Sequence, residues 1–397
     1  MNWKQSLLPK LFAAIAVGVV VGLVSPAWGI RALNCFRAIF GQFIKFIVPF
    51  IIVGLVTPAI ADTGRNAGRM LLFTLGVAYA STLCAGYFAF GVSCAVFPPL
   101  LDAGSLTETV TAQEFKEFFS LKIPPVMNVT TALAVAFMTG LGIIHARSEI
   151  LYRAAVELRD IVTLTIAKAF VPFLPFYILT VMADLTASGK LAAVGGGSVK
   201  IMGAALAVTT TVLIAQYLTA GLLTGRNPFK ALWTMLPAYL TGWGCCSSAA
   251  TIPYTLRQTR KNGVSGETAD LVIPLCANVH LAGSMANMVV YAAGLLVLAG
   301  EPLSVGAFTH YILTISVIAV ASPGVPGGVV LASASVAEAA LGFSEARYAV
   351  MIALYMALDG MGTACNLTGD GAIAMVVDKF KSRVTGAAAP AGAEARR

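Results

Sequence analysis

Charge is what this sequence has least of. Of its 397 residues, 11% are charged and 58% hydrophobic, and mean hydropathy is +0.84. An ordinary soluble domain carries about 25% charged residues. The 26 basic and 18 acidic side chains present cannot cover the surface of a soluble fold of this length. That excludes a soluble enzyme and a secreted, disulfide-framed domain. A polytopic membrane protein remains, with its apolar exterior solvated by lipid. The net charge of +8 does not point to a nucleic-acid partner, because the basic residues are spread over short connecting segments. There they act as topology determinants.

Other absences narrow the class further. The seven cysteines (35, 84, 94, 245, 246, 276 and 365) form no spaced framework, and the adjacent Cys245-Cys246 pair lacks Cys-x-x-Cys spacing. They read as small apolar side chains, with no disulfide and no zinc site. No G-x-x-x-x-G-K-[ST] motif occurs, so the chain encodes no nucleotide-driven motor. No Ser/His/Asp ordering stands out, and an enzyme is not expected.

Charge-free intervals mark the candidate spans. Residues 11–30 suffice for one crossing at about 20 residues per helix. Their length, and the poor cleavage site at Pro26-Ala27-Trp28, favour a first transmembrane helix over a signal peptide. Further intervals cover 46–61, 70–101, 123–146, 169–183, 201–225, 231–256, 271–300 and 302–337. A last apolar segment, about 345–378, carries Asp359 and Asp370, and residues 381–397 read as a disordered tail.

Two intervals are broken near their middles. One holds Gly244-Cys245-Cys246-Ser247-Ser248-Ala249-Ala250-Thr251 with Pro253 close behind; the other holds Ala321-Ser322-Pro323-Gly324-Val325-Pro326-Gly327-Gly328. A lipid-exposed break leaves backbone groups unsatisfied, so each must be buried in protein or line a cavity. The economical reading is two helical hairpins that enter the membrane and turn back. Paired interruptions of this kind point to a transporter's binding site. With the hairpins re-entrant and the N-terminus inside, Arg65, Arg69, Arg147, Arg153, Arg159, Arg226, Lys230, Arg257, Arg260 and Lys261 fall on the inner side. The largely acidic loop at 99–122 then lies outside, and both termini of this multi-pass chain are cytoplasmic.

The chemistry concentrates in the last helix. Asp359, Thr363, Asn366 and Asp370 fall at i, i+4, i+7 and i+11, within one narrow stripe. Carboxylates in an apolar helix must face a polar interior, either a substrate and cation site or a seam between helices. The Ser247–Thr251 run places small residues and exposed N–H groups at a break, a site suited to a carboxylate. The segment Ala277–Ser284 suits an unwound helix whose carbonyls coordinate a cation, and His280 is a candidate proton carrier.

These motifs resemble those of the dicarboxylate/amino acid:cation symporters, which include the glutamate transporters. The resemblance is carried by Ile44-Lys45-Phe46-Ile47-Val48-Pro49, Ser247-Ser248-Ala249-Ala250-Thr251-Ile252-Pro253, Ile273-Pro274-Leu275-Cys276-Ala277, Gly324-Val325-Pro326-Gly327 and Asn366-Leu367-Thr368-Gly369-Asp370. It implies an all-α membrane fold of eight transmembrane helices plus two re-entrant hairpins, working as an elevator and assembled as a homotrimer in lipid. Scaffold helices 1 and 2 would occupy 1–65 and scaffold helices 4 and 5 would occupy 123–190. The transport region would comprise helix 3 at 66–98 and everything from helix 6 to helix 8 at 191–380, with 99–122 an external loop. By position, Asp359 would hold a substrate amino group and Asn366 its α-carboxylate. Thr363 would add a hydroxyl, the backbone at Ser247 and Ser248 would cradle the carboxylate, and Ser322, Gly324, Val325, Pro326 and Gly327 would form the gate. Asp370 would be a sodium ligand with main-chain carbonyls of Cys276, His280 and Asn366, and Ser81 and Thr82 would be polar partners of a further cation.

Three departures refine the expectation. Where acidic-substrate members carry an arginine before the threonine of the last helix, this chain has Gly362, and Cys246 fills the other position that can supply one. The family's Asn-Met-Asp-Gly-Thr motif reads His280-Leu281-Ala282-Gly283-Ser284, so an aspartate that binds sodium is Ala282. The gating tip is about three residues shorter than the family pattern. These changes point to a small neutral amino acid moved with Na+, or with a proton through His280, and to fewer sodium ions. The alternatives are a C4-dicarboxylate or acidic amino acid symporter on the same fold, and an uncoupled channel-like or sensory protein.

Overall fold

The structure is a computed structural model that describes residues 7–65, 69–104, 115–119, 121, 123–127, 129–165, 168–169, 172–189, 191–246, 248–320 and 327–385. Among the described residues every regular element is helical. In chain order these are α1 (Leu7–Val24), α2 (Ala27–Arg65), α3 (Arg69–Leu100), α4 (Val129–Ala146), α5 (Glu149–Thr165) and α6 (Leu174–Ala187). Then follow α7 (Leu191–Thr224), α8 (Pro228–Cys245), α9 (Ser248–Lys261), α10 (Gly266–Val279) and α11 (Ala282–Leu298). The chain closes with α12 (Val305–Val320), α13 (Gly328–Ala332), α14 (Ala334–Leu341) and α15 (Glu345–Thr385). Four described stretches are long and apolar enough to cross a membrane: Arg69–Leu100, Gly196–Thr224, Gly266–Leu298 and Glu345–Lys381.

Burial sorts these stretches into a centre and a rim. The apolar window of Gly266–Leu298 is 100% buried and that of Glu345–Lys381 is 89% buried, against 33% for each of the other two. A helix apolar all round has no solvent face and belongs inside. Accordingly α11 and α15 pack on each other, with α3, α7 and α8 around them. The rim exposes large apolar side chains, among them Leu23, Trp28, Met138, Leu222 and Trp233, which suits contact with lipid. At one edge α1 lies on α6 through Gly18 and Gly22, where a Cβ would come 2.6 Å from Leu179 O and 2.5 Å from Ala183 O.

Local chemistry sets the helix ends that matter for the site. The Asn227 side chain accepts the Lys230 N–H at 3.0 Å, with Pro228 first in α8. Cys246, at φ 51° and ψ 31°, ends that helix in the left-handed region, and α9 starts two residues later and packs back on α8. The first broken interval is therefore a pair of packed helices. The second splits into α12 before the break and α13 and α14 after it, both of which pack on α12.

The helix boundaries depart from the charge-free intervals in three places. α2 starts at Ala27 and runs through Arg31, Arg37 and Lys45. Two of those side chains have tertiary partners: Arg37 Nη1 pairs with Asp184 Oδ2 at 2.8 Å, and Arg31 Nε donates to the Lys116 carbonyl at 2.9 Å. Residues 149–165, between two spans in the sequence reading, form a helix that buries Ala155 and Val162 and packs on α2. α15 continues to Thr385, so the start of the expected tail is helical, and 386–397 lie outside the described residues.

Candidate functional site

The stripe on α15 is buried throughout: Asp359 is 5% exposed, Thr363 7%, Asn366 3% and Asp370 1%. Small residues let other elements reach it. A Cβ on Gly360 would lie 2.3 Å from the Trp243 carbonyl oxygen and 3.1 Å from Cys246 Sγ, so the α8–α9 turn presses on α15 beside Asp359. This brings Ser248, the partly buried first residue of α9, toward the same end of the stripe. Ser247 lies outside the described residues, as do Ser322, Gly324, Val325 and Pro326.

The expected unwinding falls at His280 and Leu281, between α10 and α11. The His280 N–H still donates to the Cys276 carbonyl at 2.9 Å, and the Leu281 N–H donates to Thr82 Oγ1 at 3.2 Å. Asn366 then serves the freed start of α11. Its Oδ1 accepts the Gly283 N–H at 2.8 Å and the Ser284 N–H at 3.2 Å, while its Nδ2 donates to Ser284 Oγ at 2.9 Å. A helix start offers N–H groups and partial positive charge. Here the Asn366 amide oxygen satisfies them from the neighbouring helix.

Two polar centres flank this junction. The first surrounds Asp359, whose Oδ2 accepts the Gly327 N–H at 3.0 Å. Gly327 has φ 74°, a backbone conformation that favours glycine, and a Cβ there would push Met356 Sδ, 2.5 Å away, aside. The buried Tyr355, one turn before Asp359 on α15, brings its hydroxyl near the same carboxylate and Ser284. On α11, Ser284, Asn287 and Tyr291 fall at i, i+3 and i+7 and form one polar stripe. Asn287 Oδ1 accepts the Thr209 hydroxyl at 2.7 Å, and Asn287 Nδ2 lies 3.0 Å from where a Cβ on Gly362 would stand. The amide thus fills the space beside Gly362. The Tyr291 hydroxyl is buried with no hydrogen-bond partner among the described residues.

The second centre surrounds Asp370. His280 is 0% exposed, and its Nδ1 stands 2.9 Å from Asp370 Oδ1. An ionised carboxylate only accepts, so Nδ1–H is the donor. On the other side of the ring, Nε2 lies 3.0 Å from Ser81 Oγ and 3.1 Å from Gln216 Nε2, and Gln216 Nε2 also donates to Ser81 Oγ at 3.0 Å. Glycine at 369 leaves room for this cluster, since a Cβ would come 2.5 Å from Gln216 Oε1 and 2.7 Å from His280 Cε1. Ser81 and Gln216 also line a mainly apolar cavity of about 450 Å³ between α3, α7 and α15.

The structure brings Asp359, Gly362, Thr363, Asn366 and Gly327 to one centre and Asp370, His280, Ser81 and Thr82 to the α10–α11 break, with Cys276 one turn before it. Sequence reasoning left out Thr209, Gln216, Asn287, Tyr291 and Tyr355. A signal existed for three of them. Gln216 is the one amide side chain in α7, and Asn287 and Tyr291 repeat at helical spacing from Ser284.

Comparison with known proteins gives the family. Residues 7–380 match the sodium:dicarboxylate symporter family. The chain is similar to a serine/threonine transporter of Streptococcus suis, 25% identical over 346 residues, covering 83% of this chain and 94% of that protein. It is similar also to a serine/threonine transporter of Streptococcus thermophilus, 25% identical over 341 residues, covering 83% and 84%.

Proposed function

We propose that this chain, which belongs to the sodium:dicarboxylate symporter family, is a secondary active transporter that moves a small neutral amino acid across the cytoplasmic membrane together with a cation, Na+ or a proton. The observation that carries this reading is the charge balance around Asp359. One buried carboxylate is available for an ammonium group, and among the described residues no arginine or lysine is buried to meet a second substrate carboxylate. Relatives named serine/threonine transporters support the same substrate class.

In this reading Asp359 takes the substrate's amino group. The α-carboxylate meets the Asn366 amide N–H and the N–H groups at the start of α9, which suit an anion. Ser284, Asn287 and Tyr291 face the substrate side chain and offer hydrogen bonds without charge. Gly327 couples the site to the second hairpin. Its N–H rests on Asp359, so the substrate's ammonium and the start of α13 would meet at one carboxylate. The layout we propose is eight transmembrane helices with two re-entrant hairpins, scaffold helices at 1–65 and 123–190, a moving region at 66–98 and 191–380, and a homotrimer with cytoplasmic termini.

Competition separates this reading from an acidic-substrate carrier. Labelled serine bound to the purified protein should be displaced by unlabelled serine, threonine or alanine and resist aspartate and succinate. Displacement by aspartate or succinate alone would overturn the assignment and favour a dicarboxylate or acidic amino acid carrier.

A further inference from the structure

We infer that in this chain the His280 imidazole occupies the place of a coupling sodium ion, so that Asp370 binds no metal ion. The inference rests on the symporter reading for what that ion would do. A hard cation needs several oxygen ligands gathered around one point. Several of the side-chain oxygens around Asp370 already serve hydrogen bonds within the chain. Asp370 Oδ1 accepts from His280 Nδ1, Ser81 Oγ bonds both His280 and Gln216, and Thr82 Oγ1 accepts the Leu281 N–H while donating to the Ala78 carbonyl at 3.1 Å. Of the main-chain carbonyls, that of Cys276 accepts the His280 N–H.

Space tells the same story. The imidazole is 0% exposed and packs so closely on α15 that a Cβ at Gly369 would strike its Cε1. A buried carboxylate needs a compensating donor or charge, and the ring supplies it from within the chain. Position 282 is alanine, so it adds no side-chain oxygen to the centre. Gln216 completes the arrangement by holding the far edge of the ring against Ser81. The residues at this centre therefore fit a tethered imidazole and do not fit sodium.

The test uses sodium alone on the purified full-length protein, with choline chloride replacing NaCl at constant ionic strength. Thermal unfolding is followed across a NaCl series for wild type, Asp370→Asn, His280→Ala and His280→Asn. The dependence of Tm on Na+ should be the same in wild type and Asp370→Asn. His280→Ala or His280→Asn should gain an additional rise in Tm with Na+, lost again when Asp370→Asn is added. A sodium-dependent rise in wild type that Asp370→Asn abolishes would overturn the inference. So would the absence of any gain in both His280 variants, since the vacated centre would then take no ion. No transported substrate enters this readout, so its failure leaves the assignment of serine-class transport standing, and failure of serine binding leaves this result readable.

Discussion

Replacing Asp359 by asparagine isolates the charge that the account assigns to substrate binding. The side chain keeps its shape, and the amide oxygen can still accept the Gly327 N–H now held at 3.0 Å. What disappears is the negative charge opposite the substrate's ammonium. Asp359 is 5% exposed, so the lost interaction is a buried one. Breaking a buried charge pair costs about 3–5 kcal/mol, and each 1.4 kcal/mol is tenfold, so affinity should fall by roughly two to three and a half orders of magnitude. Isothermal titration of purified Asp359→Asn with serine measures this directly, with thermal unfolding as the control for an intact fold. A folded variant that loses less than about tenfold would refute the role given to Asp359.

Three further outcomes follow from the packing around the site. Asn366→Ala removes the acceptor for the Gly283 and Ser284 N–H groups, and by analogy with lost helix caps should cost about 0.5–2 kcal/mol, read as a lower Tm together with weaker serine binding. Gly360→Ala sets a methyl 2.3 Å from the Trp243 carbonyl oxygen, so the α8–α9 turn must move; overpacking of this kind costs about 1–3 kcal/mol, and transport should fall even where the protein stays folded. At Gly362 a Cβ would stand only 3.0 Å from Asn287 Nδ2, so Gly362→Arg with Asn287→Ala relieves the crowding that Gly362→Arg alone meets there. The double variant should let aspartate compete with labelled serine, and continued indifference to aspartate in a folded double variant would contradict the placement of Gly362.

Part of this arrangement is legible in the sequence for physical reasons. The Asp359-Thr363-Asn366-Asp370 stripe stands out because a charge in an apolar helix has few acceptable surroundings, and its spacing puts it on one face. The breaks at Cys246 and at His280-Leu281 are legible because small and polar residues interrupt runs that are otherwise apolar. The start of α2 is not legible. Arg31 and Arg37 read as the end of a span, but their partners lie 85 and 147 residues away in the chain. The surroundings of His280 are hidden in the same way, since Ser81 and Gln216 come from two other helices and meet only in the folded chain. Asn287 shows the converse. Its place in a polar stripe with Ser284 was readable, and its meaning emerges only from the space that Gly362 leaves.

The central claim is coupled, concentrative transport of a neutral amino acid through Asp359, and uptake of labelled serine into proteoliposomes tests it most directly. Under an inward Na+ gradient, or failing that an inward proton gradient, serine should accumulate inside above its external concentration, and Asp359→Asn should not accumulate it. Serine that only equilibrates under both gradients would contradict the account and indicate an uncoupled channel-like protein.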